Sequence, residues 1–292
     1  MSNQFTQDAN DQKKWIAPTL TQPANLQGAL KSGKLLFGVA LTYPSRHVAK
    51  SLAMTGADWC WLDAEHIAWT QTLLVECIQI IIHESGGKMI PIVRVPSSTA
   101  YDYMMLVPLG SSSLTWNPRE EMKKVIGACR FPPIGHRSYP PFTFIPGLND
   151  HTPEGETVFS LANKHVAIIP QIESGVGIKN LAEIVAHEEV SAFMIGPGDL
   201  RLDLGLPQNL DGDEPTFTAA METASKVAKE RGIPIAGFAV GPEMTKRRID
   251  QGFRLLLGTM DLYAIIFGVM TDIGTGKAVG EAHLQAKASG TV

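Results

Sequence analysis

The chain has 292 residues, 44% of them hydrophobic, and a formal net charge of −4. That length could hold one large domain or two ordinary ones, with a single α/β barrel within range; the apolar content excludes global disorder, and the acidic balance gives no electrostatic reason to expect a nucleic acid or an anionic membrane as partner. Cys60, Cys77 and Cys129 are odd in number, scattered and without paired ligand spacing, so they read as reduced, buried thiols of a cytoplasmic protein.

Residues 1–24 are polar, carry Pro18 and Pro23 and lack an apolar h-region, which predicts a loose arm. A domain over 25–275 is expected to follow, with a short tail at 276–292. Residues 25–32 can form a short helix ending at Gly33. Apolar runs after it predict strands at 35–41, 59–63, 89–95, 112–116, 168–173, 193–196, 234–238 and 254–258. The clearest helix lies at 70–85, where Leu73, Leu74, Cys77, Ile78, Ile81 and Ile82 share one face and Gly86-Gly87 forms the stop. Residues 215–231 start with proline and stop at Gly232, and 242–251 repeat that pattern before Gly252. Eight strands alternating with helices predict a single (β/α)8 TIM barrel, with a doubly wound open sheet as the alternative reading of the same pattern.

Two stretches break the rhythm. Arg130 to Lys164 shows no periodicity and is crowded with proline and aromatic residues, which predicts a shaped, functional loop. The apolar run at 255–270 contains Asp261 and is expected to be too short and too interrupted to span a bilayer.

The runs 167–173 and 192–199 each end in an acid, Glu173 and Asp199, with a helical pattern between them. In a parallel strand–helix–strand crossover both carboxylates finish at the C-terminal edge of the sheet. Two hard oxygen ligands, with water and substrate completing the shell, suit Mg2+ or Mn2+ better than Zn2+. Gly196-Pro197-Gly198 lets backbone approach a ligand closely. To the same barrel face strand 2 delivers Asp63, Glu65 and His66, strand 3 Arg94 and strand 5 Gln171. Arg94 lies in a run too apolar to leave it unpaired, so it is expected either to bind an anion or to pair with a barrel acid. His66, with Asp63 nearby, is a candidate acid/base.

These residues resemble the HpcH/HpaI aldolase family. The pieces that match are Gly56-Ala57-Asp58-Trp59 through Asp63-Ala64-Glu65-His66, Val93-Arg94-Val95-Pro96, Pro132-Pro133-Ile134-Gly135-His136-Arg137-Ser138, Pro170-Gln171-Ile172-Glu173 and Ile195-Gly196-Pro197-Gly198-Asp199-Leu200. The resemblance implies a metal-dependent carbon–carbon lyase acting on a 2-oxo acid, with Glu173 and Asp199 holding Mg2+. It implies that Arg94 stabilises a pyruvate enolate, that His66 oriented by Asp63 moves protons, that Gln171 lies next to metal or substrate, and that amides at Gly198 and Asp199 take the carboxylate. Within the family the Arg137–Phe144 loop and the Gly-Pro-Gly-Asp form point towards the branch that decarboxylates oxaloacetate and couples the enolate to a second molecule. Cleavage of a 4-hydroxy-2-oxo diacid is the alternative, and a non-catalytic 2-oxo acid-binding paralogue is a further one. Arg137, Tyr139, Phe142 and Trp116 become candidate pocket residues, Trp116 because residues 107–117 lack the family's usual fourth-strand pattern. The family also implies a homo-oligomer, a hexamer that exchanges its C-terminal helix.

Overall fold

A computed structural model describes residues 25–95, 118–138 and 152–290. The expected arm over 1–24, the expected strand at 112–116 and the pocket candidates Trp116, Tyr139 and Phe142 lie outside these residues. In chain order the elements are α1 (Leu26–Lys31), β1 (Leu36–Leu41), α2 (Arg46–Ala53), β2 (Trp59–Asp63), α3 (Gln71–Glu84), β3 (Ile90–Arg94), α4 (Pro118–Cys129), α5 (Val158–His165), β4 (Gln171–Ile172), α6 (Gly175–Lys179), α7 (Leu181–Ile184), β5 (Phe193–Ile195), α8 (Pro197–Asp203), α9 (Pro215–Arg231), β6 (Ile235–Phe238), α10 (Gly241–Asp250), β7 (Phe253–Met260) and α11 (Asp261–Ala288).

The strands form one parallel sheet in the order β3-β2-β1-β7-β6-β5-β4. Among the described residues seven of the eight predicted strands form this sheet, a half-barrel with β3 and β4 at its two edges. The predicted fourth strand falls in the sequence between those two edge strands, outside the described residues.

Strand alternation sorts side chains onto two faces. One face carries Ala40, Trp59, Trp61, Ile92, Met194, Ala236, Leu255 and Leu257, with Leu26 and Leu30 of α1 packed among them. The other carries Val39, Cys60, Leu62, Val93, Phe193 and Ile195 against the helices. The first set is the interior expected of a barrel and the second is the helix–sheet core. Trp59 dictates its neighbour: a Cβ at Gly38 would stand 2.2 Å from the Trp59 ring, and the indole N–H donates to Leu36 O at 3.0 Å.

Local chemistry sets the helix boundaries. Asn25, Ser45, Thr70, Thr157 and Ser174 each accept a backbone N–H from the first turn of the helix that follows. Gly232 ends α9 in the left-handed region at φ 66°. Three expectations are corrected. The segment 130–164 is not loop throughout, since Thr157 caps α5, which buries Val158, Leu161 and Ala162 over two turns, too short a span to register as periodicity. The helix expected between Glu173 and the next strand is broken at Asn180 into α6 and α7. The apolar segment after β7 is the start of a 28-residue helix, long and apolar enough by length and composition to cross a bilayer. That helix passes through position 275 without a break, and its apolar side chains are exposed.

Candidate active site

Period-two alternation explains why the polar residues converge. Asp63 follows Trp59 and Trp61 on the inner face, Arg94 follows Ile92, and Gln171 follows Ile169. Each is the first polar inward position beyond an apolar layer, Asp63 and Arg94 as the last residues of their strands and Gln171 in the two-residue β4. A cavity of about 430 Å3 opens there, lined by Thr42, Asp63, His66, Arg94, Gln171 and the turn Gly196 to Asp199. This is within the size range of small-molecule sites.

Asp63 and Arg94 are both buried. Arg94 donates to both Asp63 carboxylate oxygens, Nε to Oδ1 at 2.9 Å, and its Nη1 lies 3.2 Å from Glu65 Oε2. Its Cζ stands 4.5 Å over the Trp61 ring. Asp63 also accepts the backbone N–H groups of Glu65 at 3.1 Å and His66 at 3.3 Å. Burial pushes the Asp63 carboxyl up, but the Arg94 hydrogen bonds and charge and those two amides outweigh it and hold the group below its ordinary value. Arg94 therefore pairs with a barrel acid and faces the cavity at once. Asp63 contacts His66 through the backbone, while the imidazole Nε2 lies 3.7 Å from Glu65 Oε2 on a side chain that is 63% exposed. Glu65 thus touches both Arg94 and His66, a role that was readable in the Asp-Ala-Glu-His run and not assigned from it.

Gln171 donates from Nε2 to Glu173 Oε2 at 2.5 Å. Glu173 is packed closely against Gly196, where a Cβ would stand 3.0 Å from Oε2 and the carboxylate would have to shift to admit it. Burial lifts the Glu173 carboxyl above its ordinary value; the Gln171 hydrogen bond opposes this, and the charges of Asp199 and Glu65 add to the rise. Gln171 Oε1 is buried without a hydrogen-bond partner. The Glu173 and Asp199 carboxylates, beside an orphaned amide oxygen, form a hard-oxygen donor set that fits a divalent cation. No group of three or more His, Cys, Asp or Glu able to hold a metal occurs among the described residues, so water and substrate would supply the rest of the shell.

The structure therefore brings together Asp63, His66, Arg94, Gln171, Gly198 and Asp199 around one cavity, with Glu173 behind Gln171. Arg137 is not among them. Its guanidinium stacks 4.8 Å from the Phe131 ring, and Phe131 exchanges backbone hydrogen bonds with the Asn163 side chain of α5. That helix leads into the N-terminal end of β4, the far end of the sheet from Glu173. The sequence reading also missed Gln208, Asn209 and Leu210, which line the cavity from the connection between α8 and α9, and Tyr263 at the start of α11. Their signal was topological: a connection that follows a strand C-terminus lies on the active face of such a sheet.

The model of the HpcH/HpaI aldolase/citrate lyase family matches residues 39–266. Macrophomate synthase superposes with a TM-score of 0.84 at 33% identity, covering 91% of this chain and 94% of that one. The hydroxypyruvate/pyruvate aldolase of Roseobacter denitrificans is 25% identical over 256 residues, 86% of this chain and 93% of its own. The 4-hydroxy-2-oxo-heptane-1,7-dioate aldolase of Shigella flexneri is 28% identical over 232 residues, 78% of this chain and 84% of its own. With the motifs at Asp63 to His66, Arg94, Gln171 to Glu173 and Gly196 to Asp199 gathered at one end of the sheet, the chain belongs to the HpcH/HpaI aldolase/citrate lyase family.

Proposed function

We propose that this protein is a divalent-metal-dependent carbon–carbon lyase that forms the enolate of a 2-oxo acid, by decarboxylating oxaloacetate or by aldol cleavage and addition. The observation that carries this is the meeting of Arg94, Gln171 and Asp199 at a single cavity, with Glu173 hydrogen-bonded to Gln171 behind it. Glu173 and Asp199 would hold Mg2+ or Mn2+, which supplies Lewis acidity to the substrate's oxygens. Arg94 has N–H donors to spare after pairing with Asp63 and Glu65, so its guanidinium can face the negative charge that grows on an enolate oxygen. Amides at Gly198 and Asp199 would receive the carboxylate. The His66 ring, beside the Glu65 carboxylate and open to solvent, would carry protons. The identity to macrophomate synthase supports the decarboxylation version, and the two aldolase relatives support aldol cleavage of a hydroxy-oxo acid.

The purified chain, given oxaloacetate and Mg2+, should release pyruvate faster than Mg2+ alone and lose that excess with EDTA. A rate at the metal-only background would refute decarboxylation, and full activity in Glu173→Gln would refute the metal assignment.

The same reading extends to architecture. Residues 112–116 would close the sheet between β3 and β4 into a (β/α)8 barrel, preceded by an arm at 1–24. The exposed apolar face of α11 would be covered by a second copy in a homo-oligomer, with a hexamer as the family's form. The buried, unpaired thiols suit a reducing cytoplasm.

A further inference from the structure

One wall of the cavity carries residues to which the proposed enolate chemistry assigns no role. Gln208, Asn209 and Leu210 line it from the connection between α8 and α9. The Gln208 amide reaches over the carboxylate turn: a Cβ at Gly198 would stand 3.8 Å from Gln208 Nε2. No hydrogen bond from that amide to the protein occurs among the described residues, and the side chain is exposed.

Two buried arginines fasten this connection. Arg201 donates to both Glu214 carboxylate oxygens at 2.7 and 2.6 Å and to Pro207 O at 2.9 Å. Arg248 donates to Leu210 O at 3.2 Å and Asp211 Oδ1 at 3.0 Å. Their guanidinium carbons stand 5.1 Å and 5.4 Å from the rings of Phe217 and Phe253. Gly212 lies against this ion pair, since a Cβ there would stand 2.1 Å from Arg201 Nη1 and from Glu214 Oε2 and would push the pair apart. Taking two guanidinium groups out of water is costly unless every donor is well placed, and here the return is a connection pinned on both sides of Gln208. A pinned connection presents its side chain at a fixed place, which is what a selective contact needs.

Depth decides which substrate this amide meets. Gln171, Asp63 and Arg94 are buried at the strand ends, so the 2-oxo acid sits at the base of the cavity. Gln208 is exposed beside the carboxylate turn, so a second substrate arriving from solvent would pass it. We propose that Gln208 is a specificity-determining residue whose side-chain amide donates a hydrogen bond to a carbonyl oxygen of the acceptor that the enolate attacks. This rests on the enolate-forming function proposed above.

The test uses the full chain with pyruvate and Mg2+, in two readouts. Exchange of pyruvate methyl protons in D2O reports enolate formation, and consumption of glycolaldehyde, glyoxylate or succinic semialdehyde reports coupling to an acceptor. Gln208→Ala should raise the KM for at least one acceptor about three- to tenfold, the range of one lost hydrogen bond, while the pyruvate KM moves less than about twofold. Gln208→Glu, which replaces the donor with an acceptor, should raise the acceptor KM further, and Gln208→Asn should recover part of the loss. Acceptor KM values unchanged in Gln208→Ala, a pyruvate KM that rises in parallel, or no acceptor consumed by a wild type that exchanges protons would each overturn the assignment and leave enolate formation standing. A wild type that exchanges no pyruvate protons would overturn both.

Discussion

Arg94 donates to Asp63 Oδ1 at 2.9 Å while its guanidinium lies 4.5 Å over the Trp61 ring. The charge that would face the substrate is thus already paired, stacked and only 7% exposed before any substrate arrives. A preorganised cation of this kind costs little to reorganise as negative charge develops. Removing it leaves the Asp63 carboxylate buried without its partner, a loss of about 3–5 kcal/mol. Arg94→Met should therefore lower the thermal midpoint by several degrees as well as abolish proton exchange into pyruvate. Arg94→Lys, which keeps the charge but loses the fork and the stack, should fold more stably than Arg94→Met and remain well below wild type in turnover. Scanning calorimetry and the exchange assay separate the two effects, and an Arg94→Met protein as stable as wild type would refute the pairing argument.

The same pair makes a signed prediction about acid. The Asp63 carboxyl is held below its ordinary value of 3.8 in the folded state. A depressed carboxylate binds fewer protons when folded than when unfolded, so its contribution is fully present above the unfolded value. It is lost as pH falls through the folded one. Asp63→Asn removes that term. Urea titrations of the two proteins should show the stability gap widest near pH 6 and narrowing below about pH 4. A gap that widens on acidification would reverse the sign and rule out the Arg94 pairing as its source.

Gly38 tests the inner face of the sheet. A Cβ there would stand 2.2 Å from the Trp59 ring, a contact no relaxation of a flexible tip can relieve, because the indole is fixed by its bond to Leu36 O. Gly38→Ala should cost about 1–3 kcal/mol, the usual range for overpacking. Adding Trp59→Phe should recover part of that in a double-mutant cycle, whereas simple additivity would mean the two side chains do not collide.

Much of this site was legible because its signals are local. An acid at the end of an apolar run marks a strand terminus, and inward positions two apart carry Trp59, Trp61 and Asp63 to one face whatever the rest of the chain does. The stops at Gly86 and Gly232 and the caps at Asn25 and Thr70 are equally local. What the sequence concealed depends on contacts between distant elements. Arg137 sits in a motif that matches the family, yet only the pairing of Phe131 with Asn163 places it at the far end of the sheet. The partner of the His66 ring is Glu65 rather than Asp63 because Arg94, from the next strand, takes both Asp63 oxygens. Helix α5 was hidden by its length, and Gln208 by a role that comes from arginines at 201 and 248 rather than from its own neighbours.

The last expectation concerns α11. Asp261 at its start is buried and accepts the N–H groups of Thr42, Tyr43 and Leu262, so the helix is anchored beside the cavity that Thr42 and Tyr263 line. Beyond that anchor Ile265, Ile266, Phe267, Val269, Met270 and Ile273 are all exposed, Phe267 by 60%. An exposed apolar stretch of this length on a helix calls for a covering surface. A second copy of the chain would do so and would also fix Tyr263 at the cavity wall. Replacing Phe267 and Met270 together by glutamate should therefore shift the protein to a smaller species in light scattering coupled to size exclusion, without loss of β-sheet signal. It should also raise the substrate KM by loosening the first turn of α11. An unchanged mass would mean that these side chains do not lie in the interface. Recovery of the wild-type protein only with detergent would instead identify a bilayer as the covering, an outcome for which the length and apolar composition of this helix leave room.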